Sequence, residues 1–195
     1  MKLGVMTAAL PAMSLEEVAR WAAESRFGML EIACWPVGKK DRRYGGVSHI
    51  DVASLDAATA REINTFIVDN GLEISSLAYY PNPLHPDQAH RDEVIRHLKT
   101  VIDAAALLEV GIVGTFAGAD QNKSDEQNLD EFARVWPPIV RYAGAGSRSP
   151  SRTAPCSGRI PGLAAPTSPI RRRFGGACSR SSPMRTSGST TIPRI

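Results

Sequence analysis

Acidic residues run out long before the chain does. All 20 Asp and Glu lie at or before Glu131, and residues 147–195 hold nine Arg but no acid and no Lys. Cysteine is scarce and odd in number: Cys34, Cys156 and Cys178, with no CxxC spacing. That excludes a disulfide framework and fits a reducing, cytoplasmic setting. No apolar run approaches the roughly 20 residues that span a bilayer. The opening MKLGVMTAALPAM meets Pro11 too early to hold the apolar stretch of a signal peptide. A cytoplasmic chain without membrane contact is therefore expected. No GxGxxG or GxxxxGK[ST] follows any apolar strand signal, so nothing here cradles a nucleotide phosphate.

What is present falls into two parts of different chemistry. Of the 23 Lys and Arg, 14 lie in the first 146 residues beside all 20 acids; the rest are the nine Arg of the last 49. These parts are read separately, as 1–146 and 147–195.

The first part alternates strand and helix signals. Short apolar runs at 2–9, 29–35, 72–80 and 111–117 read as strands. Between them lie helices with start and stop signals. Ser14 with Glu17 forms a capping box ahead of the stripe Leu15, Val18, Ala19 and Ala22. A second helix covers 56–70, with Ile63, Phe66 and Ile67 inward and Gly71 just past its end. A third covers 90–109 on Val94, Leu98, Val101, Ala105 and Leu108. Ser124 with Gln127 opens a fourth, whose expected inward stripe is Leu129, Phe132, Trp136 and Val140, and which Pro137 and Pro138 should kink. Four βα units imply an α/β fold with a parallel sheet and right-handed crossovers. A complete (β/α)8 barrel needs about 250 residues, so the expectation is a partial TIM barrel of about four units. A flavodoxin-like open sheet is the alternative.

Residues 147–195 are dominated by Ser, Thr, Pro, Gly and Arg and have no apolar periodicity. Such a segment cannot bury enough surface to offset its chain entropy, so a disordered tail is expected.

The first 146 residues resemble the sugar phosphate isomerase/epimerase family, whose barrel is shared with xylose isomerase and endonuclease IV. The resemblance rests on MKLGVMTAAL, LEIACWP, GKKDRRYGGVSHIDV, SLAYYPNPLHPD and VGTFAGAD. It implies a site at the C-terminal mouth of the strands. It also implies a divalent metal (Mn, Mg or Zn) held by carboxylates and an imidazole, with proton transfer through an enediolate on a small sugar substrate. The family's metal ligands come from the second half of the barrel, and no residue of this sequence matches them. The resemblance therefore implies no metal or cofactor for this chain, and no catalysis as translated. Read one base out of phase, the tail permits Val-Lys-Ile-Ala-Ile-Glu-Asn-Cys-Pro-Met from Gly146 onward. It also permits Leu-Trp-Thr-Asp-Thr-Trp from Cys156, and Asp-Pro-Ser-His near its end. These suit the family's later strands and their metal-binding residues, so a shifted reading frame is the expected origin of the tail.

Strand ends and their loops supply the candidate substrate-binding residues: Glu31, Trp35, His49, Tyr79, Asn82, Thr115 and Asp120. Glu31 lies within an apolar strand and should point into the barrel, either orienting a sugar hydroxyl or pairing with a buried cation. Tyr79, Tyr80 and Asn82 end the third strand, and at least one should line the pocket. Thr115 and Asp120 follow the same logic at the fourth, Trp35 is a pocket wall, and His49 is more simply a solvated loop residue. Lys39, Lys40, Arg42 and Arg43 form a cationic loop that suits a phosphate or solvent. His85, His90 and His97 lack ligand spacing on one face, and His97 is expected at the surface. Cys34 reads as a small buried hydrophobe. Two rival functions remain. An endonuclease IV-like repair enzyme would need many His ligands. Electrostatic nucleic-acid binding through the Arg-rich tail is weakened by the absence of Lys and the near-absence of aromatic residues there.

Overall fold

The first strand, β1, is short because Thr7–Ala9 immediately turns into a single 3-10 turn after Gly4–Met6. The elements that follow are α1 (Leu15–Glu24), β2 (Met29–Ala33), α2 (Ala57–Asp69), β3 (Glu73–Ala78), α3 (Gln88–Leu107), β4 (Val113–Gly114) and α4 (Asp125–Gly146). The computed structural model describes residues 1–38 and 45–146, all within one compact unit, Met1–Thr153. The cationic loop residues Lys39, Lys40, Arg42 and Arg43 lie outside the described residues. So does the whole expected tail at 147–195, with Cys156 and Cys178.

The four strands are all parallel and stand in the order β1-β2-β3-β4. A flavodoxin-like sheet would reverse direction at a switch point and place β1 between β2 and β3. Strict succession is the strand order of a barrel wall, in which right-handed crossovers put the helices on one face.

Local chemistry sets the helix ends. Ser14 and Glu17 close the expected capping box reciprocally, with Ser14 Oγ accepting from the Glu17 amide at 3.2 Å and Glu17 Oε2 from the Ser14 amide at 2.7 Å. Asp56 and Asp87 cap α2 and α3 through the amides of Thr59 and His90. Gly71 follows α2 at φ +72°, a conformation that costs a residue with a Cβ dearly. The α1 stripe Leu15, Val18, Ala19 and Ala22 is buried as the spacing requires, and so are Val94, Leu98, Val101, Ala105 and Leu108 around α3. With Leu30, Ile32, Ile67, Leu72 and Leu77 they form the main core between sheet and helices. Each fully buried aliphatic side chain there contributes roughly 1.5–3 kcal/mol.

The fourth helix departs from expectation. Trp136 is half-buried, but Leu129, Phe132 and Val140 are exposed at 67%, 39% and 62%. Ile139 is the buried residue, with Val135 and Tyr142 packed beside it. The helix continues through Pro137 and Pro138. Neither proline has an amide hydrogen to return to the preceding turn.

One irregularity in the sheet matters for function. The β2–β3 register runs Leu30 to Ile74 and then Glu31 to Ser76, so Ser75 is an extra residue in β3. Its hydroxyl donates to the Leu30 carbonyl at 3.0 Å. A bulge shifts the alternation by one, so every side chain beyond it faces the opposite way. Leu77 and Tyr79 therefore join the helix-side core, as Leu30 and Ile32 do from β2. Ala78 and Tyr80 are turned to the other face, beside Glu31.

Candidate binding cleft at the strand ends

The face of the sheet away from the helices carries a second, smaller apolar cluster. Ala8, Ala33 and Val47 are buried there, with Met6 and Trp35 packed on them. Beyond the strands' C-terminal ends this face opens into a cleft of about 1320 Å³. Trp35, Tyr80, Pro81, His85, Glu93 and Phe116 are among its walls.

The chemistry gathers on three neighbouring strands. Glu31 comes from β2, Tyr80 follows β3, and Gly114 lies on β4. The Tyr80 hydroxyl donates a short hydrogen bond to Glu31 Oε1. Burial, and then the acceptor Glu31, push the Tyr80 phenol up to about 12. At neutral pH Tyr80 is thus a neutral donor held on a carboxylate. Gly114 makes room for the pair: a Cβ there would lie 2.5 Å from the Tyr80 oxygen and 3.3 Å from Glu31 Oε1. Aromatic rings surround it, with Phe116 at 4.9 Å and Trp35 at 6.2 Å from the Tyr80 ring. A carboxylate, a phenol and flanking aromatic faces can bind a polyol by hydrogen bonds and C–H contacts with the rings.

The other sequence candidates divide. Trp35 is a wall of the cleft. Tyr79 reaches the cleft only by its edge: it is 3% exposed and its ring lies 4.6 Å from that of His97. Burial, and then Glu93, raise its phenol further still. Asn82 borders the cleft but spends its amide on structure. Its Oδ1 accepts from the amides of Leu84 and Ala119 at 2.9 and 3.1 Å, and its Nδ2 donates to the Ala119 carbonyl at 2.6 Å. Thr115 faces the other way. It lines a separate apolar cavity of about 260 Å³ between α3 and α4, because side chains alternate past β4 and the next residue, Phe116, takes the cleft side. Asp120 is buried in the loop before α4, accepting from Asn122 at 3.0 and 3.2 Å, with Lys123 at 4.0 Å. His49 is not a solvated loop residue. It is half-buried, its Nε2 meets the Met13 carbonyl at 3.1 Å, and its Nδ1 is buried without a partner among the described residues. Desolvation lowers its pKa against the opposing backbone contacts. His97 is not at the surface either: its Nε2 meets the Cys34 carbonyl at 2.8 Å beneath the Tyr79 ring.

Sequence reasoning left out His85, His90, Glu93 and Phe116, all of which line the cleft. The His85 and His90 rings stand edge to face at 4.5 Å. The signal for them was topological. In a βα unit the first turn of a helix begins at the mouth where the preceding strand ends, which places the start of α3 over the site. A second missed feature is the ion pair joining α3 to α4. Arg91 bonds Glu131 and also donates to the His85 carbonyl at 3.0 and 2.9 Å. Lys123 and Arg134 approach the same carboxylate at 3.7 and 2.5 Å.

The described residues do not fit a divalent metal. Among them no group of three or more His, Cys, Asp or Glu could hold an ion, and the carboxylates of Glu31 and Asp120 are each engaged by neighbouring donors. No described helix is long and apolar enough to cross a membrane.

A parallel βα wall with a polar and aromatic cleft at its C-terminal mouth is the wall of a TIM-type barrel. Residues 19–146 match the family model of the xylose isomerase-like TIM barrel, and the chain belongs to that family. Its fold is similar to that of a D-psicose 3-epimerase with D-tagatose from Clostridium cellulolyticum H10 (TM-score 0.54, 15% identity, 75% of this chain and 50% of that one). It is likewise similar to a putative xylose isomerase from Rhodospirillum rubrum (0.55, 19%, 75% and 51%). A third similar structure is the IolI protein with a bound zinc atom (0.53, 15%, 75% and 49%). At these identities the shared property is the fold. The chain spans about half the length of the solved structures it matches. No protein of curated function matches it.

Proposed function

We propose that residues 1–146 form the sugar-binding wall of a ketose isomerase or epimerase of this family, and that the 195-residue chain binds such a sugar without turning it over. The Glu31–Tyr80 pair, set inward by the Ser75 bulge and flanked by Trp35 and Phe116, carries this reading. Glu31 accepts from a sugar hydroxyl, and Tyr80 fixes the carboxylate and offers its own oxygen as acceptor. The aromatic rings cover the apolar C–H face of the sugar. In the intact family a divalent metal would polarise the sugar carbonyl for proton transfer through an enediolate. The carboxylates described here do not cluster to hold one, and no step is assigned to it in this chain.

Saturation-transfer NMR of the full chain with D-tagatose and D-fructose tests the reading. The expected result is saturable transfer to the sugar, reduced about tenfold in affinity by Glu31→Gln. No transfer with either ketose, or transfer that Glu31→Gln leaves unchanged, would overturn it. So would measurable epimerisation by the unaltered chain, as regards the claim of inactivity.

A further inference from the structure

The stripe Leu129, Phe132, Trp136 and Val140 recurs at helical spacing, as a buried face should, yet three of its four residues are exposed on α4. Among the described residues this helix follows β4, which pairs with β3 alone, while at the opposite end of the sheet β1 pairs with β2 alone. Ile112 and Phe116, flanking β4, are exposed at 61% and 60%, and Leu3, preceding β1, at 63%. Both edges of the wall thus combine unpaired parallel backbone with bare apolar side chains, an arrangement that invites strand pairing between chains.

We propose that the occupant of both edges is a second copy of this chain, and that two copies close into one eight-stranded barrel. β4 of one copy pairs with β1 of the other, and its α4 stripe covers the outer face of the other's α1, where Trp21 is 36% exposed. A two-fold axis along the barrel axis makes the two seams equivalent and keeps all strands parallel, so the assembly closes at two copies. Strand number favours this occupant: the described residues contribute four parallel strands and a closed α/β barrel has eight. The chain's own residues 147–195 are poorer candidates, because their sequence has no apolar periodicity to match the stripe. In the closed form the Glu31–Tyr80 pairs of both copies open onto one mouth.

Sedimentation velocity of the full chain over a wide concentration range is the test. The expected species has twice the 21.0 kDa chain mass, with nothing larger. Leu129→Glu combined with Val140→Glu, both at solvent-exposed positions, should weaken self-association at least about tenfold with an unchanged far-ultraviolet dichroism spectrum. Val68→Glu, on α2 and equally exposed but away from both seams, should leave the dimer intact. Four outcomes would overturn the proposal. They are a monomer at every concentration, an open-ended ladder of larger species, a dimer indifferent to the α4 changes, and dissociation by Val68→Glu as complete as by the α4 pair.

Discussion

Tyr80 and Glu31 meet across adjacent parallel strands because β3 carries one extra residue, Ser75, before them. Were Ser75 paired in regular alternation instead of bulged out, Tyr80 would turn toward the helices and Tyr79 toward the cleft. The bonded pair has a readable titration. The Tyr80 phenol stands at about 12 in the folded chain against an ordinary value of 10. A group whose pKa is raised by folding stabilises fully below its unfolded value and loses that contribution as pH rises through the folded one. Stability should therefore fall between about pH 10 and 12. In Glu31→Gln, ultraviolet titration should show Tyr80 ionising at lower pH than in the unaltered chain, and an unchanged midpoint would contradict the assignment.

Gly114 tests the same geometry from the third strand. A methyl group there meets the Tyr80 oxygen at 2.5 Å, and that oxygen is the end of a side chain that can swing away. Gly114→Ala should cost less than about 1.5 kcal/mol of stability while separating Tyr80 from Glu31. The Tyr80 midpoint should then drop as it does in Glu31→Gln, and a wild-type titration in Gly114→Ala would refute this.

Gly118 and Asn82 behave differently, because backbone is in the way. Gly118 has φ +84°, and a Cβ would lie 2.3 Å from Asn82 Oδ1 and 2.9 Å from the Leu84 nitrogen. Gly118→Ala should cost about 1–3 kcal/mol, and Asn82→Ala, which removes the bridge between the two loops, about 1–3 kcal/mol. Because the two residues touch, the double variant should cost less than the sum of the singles. Denaturant midpoints measure all three.

The Arg91–Glu131 pair is nearly dry, with side chains 7% and 11% exposed. Arg91→Ala leaves Glu131 to Arg134 and Lys123 and the His85 carbonyl without its donor, and should cost about 1–3 kcal/mol, whereas Arg91→Met should cost less. Hydrogen bonds from Arg134 and then Arg91 hold Glu131 below the ordinary 4.5, against the opposing effect of burial. A carboxyl depressed by folding stabilises above its unfolded pKa and loses that contribution as pH falls through the folded value, so this part fades below about pH 4.5. His49, lowered from 6.5 by desolvation, acts earlier in the same direction: the unfolded chain takes up its proton first, so acid stability begins to fall below about pH 6.5. Urea melts at successive pH values in the unaltered chain and in His49→Gln separate the two steps.

Cys34 should be inert. It is fully buried with its thiol pushed up to about 12 by desolvation, and only the thiolate reacts. Peptide-level mass spectrometry after iodoacetamide at neutral pH should find Cys34 unmodified in the folded chain and modified in urea.

The fold was legible where one rule governs a whole element. Leu15, Val18, Ala19 and Ala22 obey helical spacing, Ser14 and Glu17 are a local pair, and four strand–helix alternations leave few topologies. The site was legible only as far as the end of β2, where Trp35 lines the cleft and Glu31 accepts from Tyr80 beside it. Beyond it, parity was lost. Ser75 inverts β3, so Tyr80 rather than Tyr79 carries the pair, and β4 is too short for its pattern to show that Thr115 points to the helices. Leu129, Phe132 and Val140 misled for another reason: apolar periodicity reports that a face is suited to burial, not which chain buries it. His85 and His90 carried only the topological signal of a helix that starts at the mouth, and Arg91 carried none, since its role depends on where Glu131 of α4 lies in space.

The central claim is that the Glu31–Tyr80 cleft is where a sugar binds. Chemical-shift mapping of the full chain with D-tagatose tests it most directly. The account predicts saturable shifts confined to the cleft, at Glu31, Trp35, Tyr80 and Phe116, that vanish in Glu31→Gln. Shifts centred instead on Ile102, Thr115 and Ile139 in the α3–α4 cavity, or no shifts in a folded chain, would contradict it.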